Sequence, residues 1–369
     1  MNPLALDPVA LARALVRCHS VTPADGGAQG VLSHALEGLG FVVTRLRFGD
    51  IENFFAERPG PGPHLCFAGH TDVVPPGEGW AHDPFAAEEL QGIIYGRGAV
   101  DMKGSIAAFT AAVAAVPGHV SFLITGDEEG EAVDGTVKVL EWMQTARKIP
   151  DFCVVGEPTS QARLGDVVKV GRRGSLNARI TMPGRQGHAA YPHLADNAVH
   201  KLVPLLAELA AVKLDEGNAF FPPSSLQITT VDVGNPVTNV IPGLATAGLN
   251  IRFNDQHSGA SLTAWLREVV DRHAAEAELG VKISGEAFLT RPGPEIEILT
   301  SAISAVTGIT PERNTAGGTS DARFIARYCP VAEFGLVGAT MHKVNEAVPI
   351  QDLLQLTEVY KTLVGAFCR

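Results

Sequence analysis

The chain has 369 residues, of which 46% are apolar and 19% charged, and its formal net charge is −11 at pH 7. This length exceeds what one hydrophobic core usually covers, so we expect two domains. The composition is that of an ordinary globular protein and excludes an intrinsically disordered chain. The acidic balance argues against a nucleic-acid partner, because such a partner needs a basic face.

The sequence shows no sign of membrane insertion or secretion. It contains no run of about 18 uncharged apolar residues, so we expect no transmembrane helix and no membrane partner. The first residues lack the basic stretch of a signal peptide, and Asp7 with Pro8 instead predicts the start of a helix. The five cysteines have no CxxC spacing, which favours reduced, buried thiols. We therefore expect a cytoplasmic location.

Residues 1–174 alternate short apolar runs with helical patterns. The predicted strands cover residues 40–46, 63–68, 120–125 and 152–155. The predicted helices cover residues 9–17, 101–116 and 134–143. Such alternation predicts an α/β fold, with a mixed, mostly parallel sheet flanked by helices.

Residues 175–290 have a different pattern, which predicts a separate inserted domain. Strands and helices follow each other in the order βαββαβ over residues 175–182, 197–213, 226–233, 245–253, 262–277 and 281–288. This order is typical of a small α+β ferredoxin-like domain. Residues 291–369 then return to the first domain, after a strong break at 292–294. A cleft between two such domains is a common place for a substrate site.

Potential metal ligands follow four strand-like runs and recur near the end of the chain. They are His70 with Asp72, Asp101, Asp127 to Glu129, Glu157 and His342. Ligands of open α/β sheets bind outside the carboxyl ends of the strands, so these side chains are expected to converge on one crevice. Imidazole and carboxylate without thiolate suit zinc, cobalt or manganese.

Each of these positions also has an ordinary structural interpretation. His70 is compatible with a turn at a strand end, and Asp101 with a helix N-cap. Residues 127–129 and Glu157 are compatible with solvated loops, and His342 with an exposed surface. The joint pattern favours metal ligation, because five such positions after successive elements are unexpected by chance.

Two neighbouring acids refine this hypothesis. In an extended chain Asp72 lies on the same side as His70 and could hydrogen-bond its far nitrogen, which would fix the ring as a ligand. The three consecutive acids at 127–129 repel each other unless cations lie among them. One of them could bind a metal while its neighbour acts as general base, and the residues alone leave that choice open.

Two further motifs suit a polar substrate. Arg172, Arg173 and Ser175 lie at the predicted domain boundary, where an arginine fork could bind a carboxylate or simply remain solvated. His188 lies within the inserted domain and could donate a hydrogen bond to a developing oxyanion.

The assembled motifs resemble the zinc aminoacylase/carboxypeptidase (M20-type) family of di-metal amidohydrolases. The matching segments are Gly69–Asp72, Gly98–Gly104, Asp127–Glu129 and Gly156–Pro158, and the resemblance covers essentially the whole chain. It implies two zinc ions per subunit, with cobalt or manganese as alternatives. It also implies that residues 1–174 and 291–369 form the catalytic domain, and that 175–290 form a lid and dimerisation domain.

The resemblance also implies a role for each candidate ligand. Asp101 would bridge the two ions. His70 and Glu157 would complete the ligands of one ion, and Glu129 and His342 those of the other.

The remaining roles are likewise carried by the resemblance. Glu128 would be the general base, and Asp72 the partner of His70. His188, beside Asn239, would come from the lid of the second subunit of a homodimer to support the oxyanion. The positions that resemble substrate-binding residues are Arg172, Ser175, Tyr191, Asn239, Arg252, Gly318 and Thr319.

The implied reaction is the hydrolysis of N-succinyl-LL-2,6-diaminopimelate to succinate and LL-2,6-diaminopimelate, a step of lysine biosynthesis. The motifs behind this narrower expectation cover residues 156–160, 172–175, 188–193, 239–242, 317–321 and 342–346. The alternatives are another N-acyl amino acid deacylase, such as acetylornithine deacetylase, and a metallo-dipeptidase. A non-catalytic relative would have lost ligands or Glu128, and none is lost. One departure is Gly338, where many family members have asparagine.

Overall fold

The computed structural model describes residues 3–369, which divide into two compact units. The first unit runs up to Val170 and includes Thr290–Asn314 and Ser320–Arg369. The second comprises Gly171–Leu289 and Thr315–Thr319. The short segment 315–319, which the sequence prediction gave to the catalytic domain, thus belongs with the second unit. The catalytic and lid functions of the units stay predictions.

The first unit begins with alternating helices and strands, preceded by a short 3₁₀ helix at Pro3–Leu6. They are α1 (Pro8–Val16), α2 (Ala28–Glu37), β1 (Val42–Phe48), β2 (Ile51–Arg58), β3 (Leu65–His70), β4 (Glu88–Leu90), β5 (Ile93–Tyr95), α3 (Lys103–Ala115), β6 (Val120–Thr125), α4 (Thr136–Thr145), β7 (Phe152–Val155) and β8 (Val167–Lys169). Asp7 caps α1 as predicted, since its carboxylate accepts hydrogen bonds from the backbone N–H groups of Val9 and Ala10.

The second unit follows in the chain. It contains β9 (Gly171–Arg172), β10 (Gly174–Pro183), β11 (Gly187–His188), α5 (Ala198–Ala211), β12 (Ser225–Asp232), β13 (Val240–Ile241), β14 (Leu244–Phe253), α6 (Gly259–His273), β15 (Glu278–Gly285) and β16 (Phe288–Leu289). A 3₁₀ helix lies at Pro192–Leu194. The long strands form an antiparallel sheet in the order β12-β14-β10-β15. Its core is formed with α5 and α6, through side chains such as Leu202, Leu205 and Leu266.

The chain then completes the first unit. The elements are α7 (Pro294–Thr307), β17 (Glu312–Asn314), α8 (Ala322–Ile325), β18 (Val331–Glu333), a 3₁₀ helix at Gly338–Thr340, β19 (Ala347–Pro349) and α9 (Ile350–Phe367). No helix between residues 3 and 369 combines the length and apolar character needed to cross a membrane. Cys66, Cys153, Cys329 and Cys368 are buried, Cys18 is half-buried, and all five are free thiols.

The large sheet of the first unit has the order β1-β2-β6-β3-β7-β18-β8-β17. Its central pairs β6–β3, β3–β7 and β7–β18 are parallel, whereas β1–β2, β2–β6 and β18–β8 are antiparallel. Strands β3, β6 and β7 are buried along their whole length, as expected for strands covered by helices on both faces. The predicted α/β class with a mixed, mostly parallel sheet is confirmed. The carboxyl ends of β3, β6 and β7 lie at one edge of this sheet.

Helices α3 and α9 cover the sheet through an aromatic cluster. The rings of Phe67 on β3 and Phe109 on α3 stack with centroids 4.3 Å apart, and Tyr360 on α9 lies 5.2 Å from Phe109. Tyr360 is fully buried, and its hydroxyl donates a 2.6 Å hydrogen bond to the Phe334 carbonyl oxygen. The buried phenol of Tyr360 therefore has a hydrogen-bond partner, as buried polar groups usually do.

Two leucines of α9 provide a matched test of this packing. Leu356 is 0% exposed and Leu354 is 43% exposed, although they occupy the same helix. We expect Leu356→Ala to lower the free energy of unfolding by about 2–5 kcal/mol, because it leaves a cavity. Leu354→Ala should change it by no more than about 0.5 kcal/mol. Urea denaturation followed by circular dichroism measures both, and equal shifts would contradict the assigned burial.

Candidate metal centre

His70 is the last residue of β3 and lies buried at the carboxyl edge of the sheet. Its Nδ1 is 2.9 Å from the backbone carbonyl oxygen of Asp72, while the Asp72 carboxylate lies farther away, at 3.6 Å. The carbonyl, a contact that the sequence did not predict, is therefore the nearer acceptor for a proton on Nδ1. With that proton in place, Nε2 keeps its lone pair for a ligand.

Asp101 lies between two imidazoles. Its Oδ1 is 3.3 Å from His70 Nε2, and its Oδ2 is 3.2 Å from His342 Nε2. The side chain does not cap α3, whose N-cap position is Met102. Each oxygen of this single buried carboxylate thus faces a different histidine, an arrangement that allows one aspartate to bridge two cations.

Two acids complete the cluster around the histidines. Glu129 Oε1 is 2.8 Å from His342 Nε2, and Glu157 Oε1 is 3.8 Å from His70 Nε2. Donor atoms of His70, Asp101 and Glu129 lie within 4.8 Å of one another, and so do those of His70, Glu128 and Glu157. The structure therefore brings all the sequence-predicted ligands of this unit together at one sheet edge.

The Asp72 carboxylate organises the segment that carries the two glutamates. Its Oδ1 accepts a hydrogen bond from the Glu128 backbone N–H at 3.3 Å, and its Oδ2 accepts one from the Glu129 N–H at 3.0 Å. The Thr22 hydroxyl donates a further bond of 2.6 Å to Oδ2. Asp72 thus links β3 to the turn after β6. The contact from Thr22 was not predicted, because residue 22 belongs to no motif.

The protonation properties of the cluster reveal an excess of negative charge. Hydrogen bonds to Asp101 and Glu129 raise the pKa of His342 to about 10. Burial lowers the pKa of His70, but the hydrogen bond to Asp101 and the charge of Asp72 outweigh it, so that pKa lies well above its usual value. Burial, reinforced by the charge of Glu157, raises the pKa of Glu128 well above its usual value. The carboxylates thus favour a positive charge on the two histidines, and the same negative surroundings suit metal cations.

Glu346 ends the 342–346 motif, but the sequence indicated no role for it. It is fully buried, and its Oε1 accepts hydrogen bonds from the backbone N–H groups of Val100 and Asp101 at 2.9 and 3.1 Å. Its Oε2 accepts bonds from Gly98 N–H at 3.0 Å and from Arg97 Nη1 at 2.6 Å. Glu346 therefore holds the loop that presents Asp101. No local pattern could reveal this contact, because it joins residues about 245 positions apart.

We expect Glu346→Gln to weaken metal binding by roughly 10- to 100-fold, as for other residues that orient a ligand. The amide places an N–H₂ group against backbone N–H donors, so the Asp101 loop has to shift. Competition with a chromophoric chelator measures this affinity.

Glu78→Gln is the matched control, because Glu78 is exposed and lies outside the cluster. An unchanged affinity in a folded Glu346→Gln protein would remove Glu346 from this role.

In the second unit, one group of predicted substrate residues lies on β9, β10 and β14. Ser175 pairs with Arg252 in the register of β10 and β14, and Arg172 Nη1 donates a 3.1 Å hydrogen bond to the Gly318 carbonyl oxygen. Arg252 Nη1 is buried without a hydrogen-bond partner among the described residues. Burial lowers the pKa of Arg252, and the charge of Arg173 lowers it further. This group has the chemistry of an anion site.

A second group lies on the small antiparallel sheet that β11 and β13 form. His188 pairs with Val240, and the Ala189 N–H donates to the Asn239 carbonyl oxygen at 2.8 Å. The Tyr191 side chain is exposed, and its ring lies 5.6 Å from that of His188. The structure therefore places His188, Tyr191 and Asn239 close together. Thr319 is in the 315–319 segment of the same unit.

The close approach of the backbone before β8 explains why residue 338 is a glycine. A Cβ atom at this position would lie 2.9 Å from the Pro158 carbonyl oxygen, next to Glu157. A side chain there would require the Glu157–Pro158 segment to shift.

Comparison with protein families and curated proteins shows a full-length likeness. The model of Peptidase family M20/M25/M40 matches residues 66–366. The succinyl-diaminopimelate desuccinylase of Acidiphilium cryptum is 61% identical over 98% of this chain and 99% of that protein. The protein of the same name from Gluconacetobacter diazotrophicus is 62% identical over 98% of this chain and 97% of its own length.

Solved structures with low sequence identity share the fold. An M20 family metallo-carboxypeptidase from Sulfolobus solfataricus has a TM-score of 0.81 at 16% identity, covering 98% of this chain and 99% of that chain. The Bacillus subtilis YXEP protein, described as a dinuclear metal binding peptidase of the M20 family, has a TM-score of 0.74 at 16% identity, with 98% of both chains covered.

Proposed function

The chain belongs to peptidase family M20/M25/M40, and from this premise we propose that it hydrolyses N-succinyl-LL-2,6-diaminopimelate to succinate and LL-2,6-diaminopimelate. The observation that carries the proposal is the 61% identity to a succinyl-diaminopimelate desuccinylase over 98% of the chain. The candidate metal centre supports it, because every potential ligand predicted from the sequence belongs to one cluster. Lysine biosynthesis in the cytoplasm is the setting that this reaction predicts.

The donor set fits two divalent cations, and we propose zinc, with cobalt or manganese as alternatives. Asp101 would bridge the ions, with His70 and Glu157 on one side and Glu129 and His342 on the other. The two contacts of Asp101, one oxygen to each histidine, support this division. When bound, such ions lower the pKa of a water molecule and polarise the amide carbonyl group.

Glu128 is the residue that we propose to transfer protons. Its carboxylate would take the proton of the attacking water and later deliver it to the departing amine nitrogen. Asp72 contributes by binding the N–H groups of Glu128 and Glu129, so the proposed base and the proposed ligand are held by one carboxylate.

Residues of the second unit would bind the substrate and support its oxyanion. Arg172, Ser175 and Arg252 have the positive charge and hydrogen-bond donors that the carboxylates of this substrate require. Gly318, Thr319 and Tyr191 would complete the binding surface. We further propose a homodimer through this unit, in which His188 of the partner subunit, beside Asn239, donates to the oxyanion.

The proposed base can be tested by an isosteric substitution. Glu128→Gln should retain the metal content of the wild type, because Glu128 is not among the proposed ligands. It should lower kcat by at least about 100-fold, since general base catalysis contributes 10²–10⁴. Metal analysis and steady-state kinetics provide the two readouts. Loss of one metal with the activity would instead assign Glu128 as a ligand.

The substrate is tested by comparing amide cleavage of N-succinyl-LL-2,6-diaminopimelate, N-acetylornithine and a dipeptide at equal concentrations. We expect a strong preference for the succinyl substrate, lost with a chelator and restored by zinc. Preference for the acetyl substrate would overturn the substrate and keep the metal mechanism. No turnover of any of them by metal-loaded protein would contradict the proposed function.

A further inference from the structure

A second cluster of imidazole and carboxylate lies at the opposite edge of the large sheet. His64 directly precedes β3, His119 directly precedes β6, and Glu57 lies near the end of β2. These strands are neighbours in the order β2-β6-β3, and Leu65 pairs with Val120 while Glu57 pairs with Ser121. The three side chains therefore lie at the edge where β3 and β6 begin and the antiparallel β2 ends, whereas His70 lies at the carboxyl end of β3.

The three side chains are close enough to share one ion. A ring nitrogen of each histidine and one oxygen of Glu57 lie within 4.8 Å of one another. His119 Nε2 is 2.9 Å from Glu57 Oε1, and the rings of His64 and His119 stack with their centroids 4.1 Å apart. The sheet register fixes these distances, because all three residues are in or next to adjacent strands.

Ser121 supports this arrangement from within β6. Its hydroxyl oxygen is 2.7 Å from His64 Nε2, and both groups are buried. When Nε2 carries the proton and donates it to Ser121, Nδ1 keeps its lone pair for a ligand. Metal-binding histidines are commonly oriented by such a bond from the other ring nitrogen.

We propose that Glu57, His64 and His119 form a third divalent metal site, separate from the candidate metal centre, which binds zinc. Two imidazoles and a carboxylate are a donor set that zinc uses, with water in the fourth position. The two nitrogen donors disfavour magnesium and calcium, which prefer oxygen. The ion would cross-link three adjacent strands and stabilise the folded chain, since it binds a site that unfolding destroys.

Lys148 regulates the affinity of this site. Its Nζ lies 2.5 Å from Glu57 Oε2, so the ammonium group partly neutralises the carboxylate that the ion needs. The Lys148 side chain is 39% exposed and can move aside into solvent. The His119 side chain is 28% exposed, which gives an ion access from the same surface. Removing the ammonium group should therefore tighten metal binding.

The experiment counts the zinc equivalents that the full-length chain binds in equilibrium dialysis, with metal analysis of the protein. His119→Ala should bind one equivalent fewer than the wild type. His82→Ala is the matched control, because His82 Nδ1 also contacts a carboxylate oxygen, Glu88 Oε2, at 2.8 Å. Among residues 3–369, however, this pair belongs to no group of three potential metal ligands. Lys148→Met should bind the wild-type number of ions. The Kd of zinc at the proposed third site should fall by about tenfold.

Thermal unfolding gives a second readout that does not depend on catalysis. Zinc added beyond the equivalents bound by His119→Ala should raise the Tm of the wild type and the His82→Ala protein, but not that of His119→Ala. Equal zinc content and equal Tm shifts in His119→Ala and His82→Ala would overturn the proposal. If His119→Ala does not fold, the Lys148→Met protein decides, because a loss of folding cannot produce tighter binding. Unchanged affinity in that protein would also overturn the proposal.

Discussion

The contact on which the candidate metal centre depends is that of one buried carboxylate with two imidazoles. Asp101 directs one oxygen to His70 and the other to His342, residues that are 272 positions apart in the chain. Glu346 binds the backbone of the Asp101 loop with both of its oxygens, and it follows His342 by only four residues. The loops that carry two ligands are thus fixed to each other.

Negative charge is concentrated at the same edge of the sheet. The carboxylates of Asp72, Asp101, Glu128, Glu129 and Glu157 lie around two histidines. Hydrogen bonds to Asp101 and Glu129 raise the pKa of His342 to about 10. A cluster of this kind is costly unless cations bind to it. Its position is explained by the fold, since His70 ends β3 and the two adjacent glutamates come shortly after the end of the parallel neighbour β6.

The sequence predicted the uniformly apolar strands well and a strand of mixed composition poorly. The bounds of β6 and β7 agree with the prediction, because each is a short apolar run between turn residues. Strand β2 was missed: its sequence IENFFAER mixes charged and apolar residues, and its pairing with β6 is a long-range contact. Of the candidate site, the ligand types could be recognised from motifs. The support from Glu346 could not, because it depends on how distant loops pack. The carbonyl contact of His70 could not, because it depends on the orientation of the ring and of the backbone two residues later.

The proposed bridging of two metal ions by Asp101 is tested most directly by anomalous diffraction from crystals of the zinc-loaded protein. Two anomalous peaks should flank the Asp101 carboxylate, one ligated by His70 and Glu157 and the other by Glu129 and His342. Glu128 should contact neither ion directly. A single peak, or two peaks that share no oxygen of Asp101, would contradict this account of the site.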